Sequence, residues 1–359
     1  MYCDFLSVTY SESLATVYVD ALCKELVLKS DGADRLETVY IGGGTPSMLS
    51  EECFIKLFQF MKRHFSFSSR PEITVEINPG TLDRSKSDML RALGINRISI
   101  GAQSFDDGEL ASLGRSHRSS DTLTAINLLR ASGFENISID LIYGIPMQTL
   151  RGWKKTIAKT TELSLSHVSA YELTPAMNTK LYDHIKANLI ALPDEQNILD
   201  MYHYTIERLT ASRFQHYEIS NFAMPDFRCA HNLNYWDRGQ YAGIGAGAHS
   251  FLSGTRFKNT DNIRSYITCI TSGTIPQSES AELNKSEHIK EHIFLGLRKR
   301  EGLNIRGINL SDYPVVEACS EFFDSGFMEM DMDSIRLTGK GLPVANTIIV
   351  RIIEKLDLG

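Results

Sequence analysis

The sequence has no excess of basic charge. Its 37 Lys and Arg are outnumbered by 44 Asp and Glu, for a formal net charge of -7. A nucleic-acid binder ordinarily carries a basic face, so no nucleic acid is expected as a partner. No apolar run approaches the ~18 residues of a membrane span. No charged and then apolar leader precedes a cleavage site, so nothing directs export and a cytoplasmic location is expected. There are also no close cysteine pairs. Cys3, Cys23, Cys53, Cys229, Cys269 and Cys319 are scattered, which in a chain of 359 residues reads as reduced thiols rather than a disulfide framework. The rest is ordinary globular composition, 42% hydrophobic and 23% charged, with length for one large α/β domain and an appendage, or for two domains.

The first two thirds alternate strand and helix signals. Residues 12–29 have apolar positions at helical spacing. "ETVYI" (37–41) is a β-branched strand that runs into Gly42-Gly43-Gly44, and Ser50-Glu51 then open a helix to about His64. Strands follow at 72–77, 97–100, 136–142, 167–173 and 216–220, with helices between them, including 149–163 and 194–212. Such alternation implies parallel strands with crossover helices, hence a barrel or a doubly wound sheet. Ligands in these folds sit at the C-terminal strand ends. The unusual residues fall there: Gly42 to Pro46, Glu76, Gln103, Asp140 and Glu172. Any one of them reads as a turn or cap residue; together they point to a barrel-type site. From about residue 284 the texture changes to an amphipathic helix, a helix near 312–325, a β-like pair (327–338) and a last helix (340–356). This divides the chain into a domain 1–283 and a small helical or winged-helix-like domain 284–359. The run Arg298-Lys299-Arg300 reads as a solvated helix end.

"GGGTP" (42–46) is not followed by Lys-Ser/Thr and lacks dinucleotide spacing, so it is neither a Walker loop nor a Rossmann turn. It still lets backbone approach a ligand closely. "YCDF" (2–5) alone says little, because a lone cysteine is usually a small buried hydrophobe. "FRCAHNLNYW" (227–236) gathers Cys229, His231, Tyr235 and Trp236, and "GIGAGAHSF" (243–251) adds His249. Cys-x-His offers two metal donors, but taken alone the segment reads more readily as a polar loop whose His and Asn tie down backbone groups.

Together these strings resemble the radical S-adenosylmethionine (SAM) superfamily. "YCDF" and "YIGGGTPS" carry the superfamily likeness. "EINPGTLD", "INRISIGAQSFDDGELASLGRSH", "ISIDLIYGIPMQT" and "HYEISNFAMP" are similar to the oxygen-independent coproporphyrinogen III oxidase-like branch. "HNLNYW" and "YAGIGAGAHS" resemble the HemW-type haem chaperones within it. The resemblance implies a partial (β/α)6 radical-SAM barrel, its first strand apparently missing here. It implies a [4Fe-4S] cluster on a CxxxCxxC loop, with one iron left open for SAM. By the same likeness Cys3 is the third cluster cysteine, and two ligands are missing from this chain. Gly43, Gly44, Thr45, Glu76, Gln103, Arg115, Asp140, Thr174 and Ile219 match SAM contacts. Cys229 and His231 are the candidate haem contacts, with His249 a second imidazole. The absent cysteines and strand are expected upstream of Met1.

The oxidases carry CxC where Phe5 stands here. The expectation is therefore a haem chaperone that binds haem and passes it to an acceptor protein, with a reductant for the cluster and peripheral contact with membrane-bound acceptors. The alternatives are coproporphyrinogen decarboxylation, a cluster-free haem-binding protein on a vestigial barrel, and an unrelated barrel enzyme whose GGGTP holds phosphate.

Overall fold

The structure is a computed structural model that describes Leu6, residues 8–30 and residues 35–358. Five strands lie side by side in chain order, all parallel: β1 (Arg35–Ile41), β2 (Ser66–Ile77), β3 (Arg97–Gln103), β4 (Asn136–Tyr143) and β5 (His167–Glu172). A short hairpin extends the sheet. β7 (Asn221–Ala223) pairs antiparallel with β5, and β6 (Gln215–Glu218) lies outside it. In a doubly wound sheet the strand order turns back at a switch point. Here it never does through β5. The sheet is a half-barrel, with β1 and β6 as its edges.

The strand sequences explain why it curls around a polar interior. Side chains alternate between the two faces of a strand. One set, including Val39, Ile73, Val75, Ile98, Ile139 and Val168, is apolar and lies in the main hydrophobic core. Helices cover that set: α2 (Glu51–His64), α3 (Arg84–Ala92), α5 (Ser119–Ala131), α6 (Leu150–Glu162) and α8 (Glu195–Ala211), with α1 (Glu12–Lys29) ahead of β1. Ser50, Asp83, Thr149 and Asp194 cap four of them by accepting backbone N–H bonds. The other set is polar: Thr38 and Tyr40, Glu72 and Glu76, Arg97 and Ser99, Ser138 and Asp140, His167 and Ser169. These side chains line the concave face. Two short helices, α4 (Asp107–Ser112) and α7 (Lys180–Lys186), stand in the connections after β3 and β5.

The remainder corrects several expectations. Residues 227–236, expected as a loop, contain helix α9 (Ala230–Trp236). Its Asn and His residues are weak helix formers. What holds its first turn is the carboxylate of Glu72, which accepts from the N–H groups of Ala230 and His231 at 2.9 and 3.0 Å. The Gly-rich segment 243–251 leads into a three-stranded sheet of β8 (His249–Leu252), β9 (Thr255–Asn259) and β10 (Gln277–Glu282), with α10 (Ile263–Thr271) between the last two. The fully buried carboxylate of Glu25, on α1, ties this unit down. It pairs with Lys29 at 2.8 Å and accepts from the Tyr266 hydroxyl, the Asn259 amide and the Gly245 N–H at 2.6, 2.6 and 2.7 Å.

The C-terminal part is helix α11 (Lys285–Gly296), strand β11 (Leu303–Asn304), short helices α12 (Val315–Ala318) and α13 (Ser320–Asp324), hairpin β12 (Met328–Asp331) and β13 (Ser334–Leu337), and helix α14 (Ala345–Lys355). Arg298-Lys299-Arg300 is not a solvated helix end. It lies beyond α11 and docks on the barrel. The Ile219 N–H donates to Arg298 O, the Arg300 N–H donates to Tyr217 O (both 3.1 Å), and Lys299 pairs with Asp237.

Removing one partner of a buried, multiply bonded ion pair leaves the other charge stranded, at a cost of about 3–5 kcal/mol. Glu25→Ala strands Lys29, whose side chain is only 9% exposed. Urea unfolding is expected to show a loss of that order; a loss below about 1 kcal/mol would mean that Glu25 does not anchor the unit.

Candidate functional site at the strand ends

The loop after β1 opens the site. Nothing approaches the Cβ positions of Gly43 and Gly44, and both residues are exposed. Gly42 is different. A Cβ there would meet the Glu76 carboxyl at 2.6 Å and the Tyr40 ring at 2.7 Å, so glycine is required for these two side chains to close beneath the loop. Glu76 accepts from the Tyr40 hydroxyl (2.8 Å) and from the Gly43 N–H (3.1 Å). Thr45 accepts from Asn78, whose carbonyl in turn takes a bond from Arg115. Arg115 also reaches Gly101 O at 3.4 Å. The loop after β1 is thus linked through β2 to the segment that follows β3.

Gln103 ends β3 with a left-handed φ of 57°, where the register with β4 slips. A non-glycine residue there is strained, and such strain collects at functional sites. Its Oε1 is buried without a partner. Asp140 projects from β4 onto the same face and accepts from Ser99 at 3.0 and 3.1 Å and from Ser169. Burial raises the pKa of both Glu76 and Asp140; for Glu76 the nearby Asp140 charge adds to it, and Arg97 below opposes the shift in both. Two desolvated carboxylates on one concave face suit a cationic ligand. Thr174 lies exposed two residues beyond β5, at the same end of the sheet. Ile219 forms the half-buried corner between β6 and β7 and is held by the Tyr202 hydroxyl, which donates to its carbonyl at 3.0 Å.

Cys229 and His231 lie a layer deeper. Cys229 is fully buried beside Glu72, 3.4 Å from that carboxylate, and burial pushes its thiol pKa up to about 12. The His231 ring stacks on Tyr40 with centroids 5.0 Å apart. Its Nδ1 meets the Thr38 hydroxyl at 2.8 Å and its Nε2 the Tyr235 hydroxyl at 2.9 Å. Burial lowers its pKa, which favours the neutral ring. Trp236 carries the Arg298 guanidinium over its ring at 5.4 Å. His249 begins β8 and is exposed. Cys3 lies outside the described residues. The other five cysteines are free, and four of them are buried.

Tyr40, Glu72, Asn78 and Arg97 were not among the residues singled out from the sequence. For β2 the signal was the alternation itself: Glu72, Thr74 and Glu76 place three polar side chains on one face, and Asn78 follows just beyond the strand.

A half-barrel with its polar site at the C-terminal strand ends defines the class, and comparison with known proteins supplies the family. Residues 1–159 match the model of the Radical SAM superfamily. The chain is 34% identical over 98% of its length, and 93% of the relative's, to the heme chaperone HemW of Lactococcus lactis. It is 34% identical over 99% of its length to that of Bacillus subtilis, covering 96% of it. Among solved structures it superposes on the radical SAM enzyme coproporphyrinogen III oxidase (HemN) from Escherichia coli with a TM-score of 0.85, covering 98% of this chain and 86% of that one at 23% identity. The chain belongs to the HemW family of radical SAM proteins.

A carboxyl pKa raised on folding means that the folded state binds the proton more tightly, so stability falls as pH rises from the ordinary carboxyl range through the raised value. Without ligand, Glu76→Gln with Asp140→Asn is therefore expected to stabilise the protein at about pH 7.5 relative to the parent, with the advantage lost near pH 4. Urea midpoints at the two pH values test this. An equal or larger advantage at the acid end would contradict it.

Proposed function

We propose that this chain is a radical SAM-type haem chaperone: it binds haem and passes it to an acceptor protein. The observation that carries this reading is the likeness to heme chaperones along nearly the whole chain, at 34% identity. The SAM site proposed is the strand-end constellation. Glu76 and Asp140 face the cationic and hydroxyl groups of SAM, and Arg115 has donors suited to its carboxylate. Gly43, Gly44 and Thr45 bring backbone up to its methionyl end. Gln103 offers its unpartnered carbonyl, and Thr174 and Ile219 close the far side. The fit is supported by the two desolvated carboxylates and by the open space above Gly43 and Gly44.

When bound to a reduced [4Fe-4S] cluster, SAM supplies a deoxyadenosyl radical. The thiolate proposed for the cluster from this sequence is Cys3. Cys23, Cys53, Cys229 and Cys319 are committed to packing, and two further ligands are not assigned.

For haem, the iron contact proposed is His231. Burial favours its neutral ring, and its Nε2 meets the Tyr235 hydroxyl, which an iron would replace. Tyr235 packs edge-on against the imidazole, 4.9 Å between centroids, and Phe227 and Trp236 are further aromatic side chains of the same segment. Cys229 anchors the start of the helix that carries them.

Haemin added to the purified protein is expected to give a saturable Soret shift at about one equivalent, in keeping with a single haem site. His231→Ala is expected to weaken or alter that spectrum, whereas Cys23→Ala, a control inside α1, leaves it unchanged. Identical spectra for both variants and the parent would remove His231 from the site.

A further inference from the structure

The two sites meet in a side chain that neither reading assigns. The Tyr40 hydroxyl donates to Glu76 Oε1 at 2.8 Å, and its ring lies on the His231 imidazole, 5.0 Å between centroids and 24° from parallel. Two residues earlier on the same face of β1, Thr38 bonds His231 Nδ1. β1 therefore grips the imidazole twice, once by stacking and once by a hydrogen bond. It then runs directly into the Gly42–Gly44 loop.

We propose that Tyr40 is a positioning residue that couples the strand-end site to His231, so that a cationic ligand held by Glu76 changes the affinity for haem, and haem changes the affinity for that ligand. The proposal rests on the reading of His231 as a haem contact. Glu76 has two protein donors in the ligand-free site, the Tyr40 hydroxyl and the Gly43 N–H. A ligand that engages this carboxylate must share it with them. The Tyr40 phenol stays protonated, because burial and the carboxylates around it hold its pKa well above the ordinary value, so it remains a donor throughout. The ring cannot follow a shift of Glu76 without sliding on the imidazole. Sliding alters the His231 tie to Tyr235, the bond that a haem iron has to replace. Coupling between sites is reciprocal by linkage.

The test is an anaerobic haemin titration of the full chain with and without saturating S-adenosylmethionine. The parent is expected to show haem affinities that differ by about fivefold or more between the two conditions. Tyr40→Phe keeps the stack and removes the hydroxyl. Measured against its own haem affinity without S-adenosylmethionine, the variant's ratio is expected to fall to about one.

A second measurement needs no S-adenosylmethionine. Glu76→Gln is expected to shift haem affinity in the parent but not in the Tyr40→Phe background, a non-additive cycle. An undiminished ratio in Tyr40→Phe, or an additive cycle, would overturn the proposal and place any coupling in the charge of Arg97, which reaches both Glu76 and His231. Haem that binds with the same affinity in every condition would also overturn the coupling while leaving the haem reading intact. Absence of a Soret shift in the parent would overturn the haem reading and the coupling with it.

Discussion

One guanidinium sits inside the half-barrel, and most of the polar interior is arranged around it. Arg97, the first residue of β3, is 2% exposed, and its charge is felt by Glu72, Cys229, Tyr40 and Tyr217. A buried cation costs several kcal/mol unless anions and dipoles come with it. Glu72 is the carboxylate among them and acts through its charge, for the guanidinium Nε is buried without a hydrogen-bond partner. The same carboxylate receives the first N–H groups of α9, so the acid that the Arg97 charge acts on also places His231. The positive charge also disfavours protonation of His167 and His231 and works against the burial that raises Glu76 and Asp140.

How much of this was legible in the sequence follows the range of the interactions. Local signals placed β1 to β5 and the helices between them, because apolar period and capping residues are written within a dozen positions. The caps Ser50 and Asp194 are cases in point. The strand-end cluster was legible too, since βα alternation fixes which end of each strand faces the loops. Helix α9 was not, because the group that holds it comes from a strand more than 150 positions earlier in the chain. Nor was the tie of the Gly245 loop to Glu25, whose carboxylate accepts from the Gly245 N–H and the Asn259 amide in a network that spans α1 and β9. Arg298-Lys299-Arg300 reads as a charged run in isolation; only the folded chain shows its backbone bonded to Tyr217 and Ile219.

The half-barrel does not by itself separate a haem carrier from a porphyrin-modifying enzyme. The superposition on HemN spans nearly the whole chain at 23% identity and establishes a shared architecture. The features of this chain that favour the haem reading are few: Phe5 after Cys3 in the sequence, and α9, whose Tyr235 bonds the His231 imidazole. In this chain the concave face carries two desolvated carboxylates, Glu76 and Asp140, with strained Gln103 next to them. A fold can keep one cofactor platform while the second layer of side chains is rewritten for a different task.

The central claim is therefore that this chain moves haem rather than alters a porphyrin. The direct measurement is a two-substrate comparison under anaerobic conditions with reductant and SAM present. One arm offers coproporphyrinogen III and follows decarboxylated product; the other offers the haem-loaded protein an apo-haem protein such as apomyoglobin and follows transfer by absorbance. The account predicts transfer of bound haem to the acceptor with no decarboxylated product. Catalytic decarboxylation, with haem neither retained nor released to the acceptor, would contradict it.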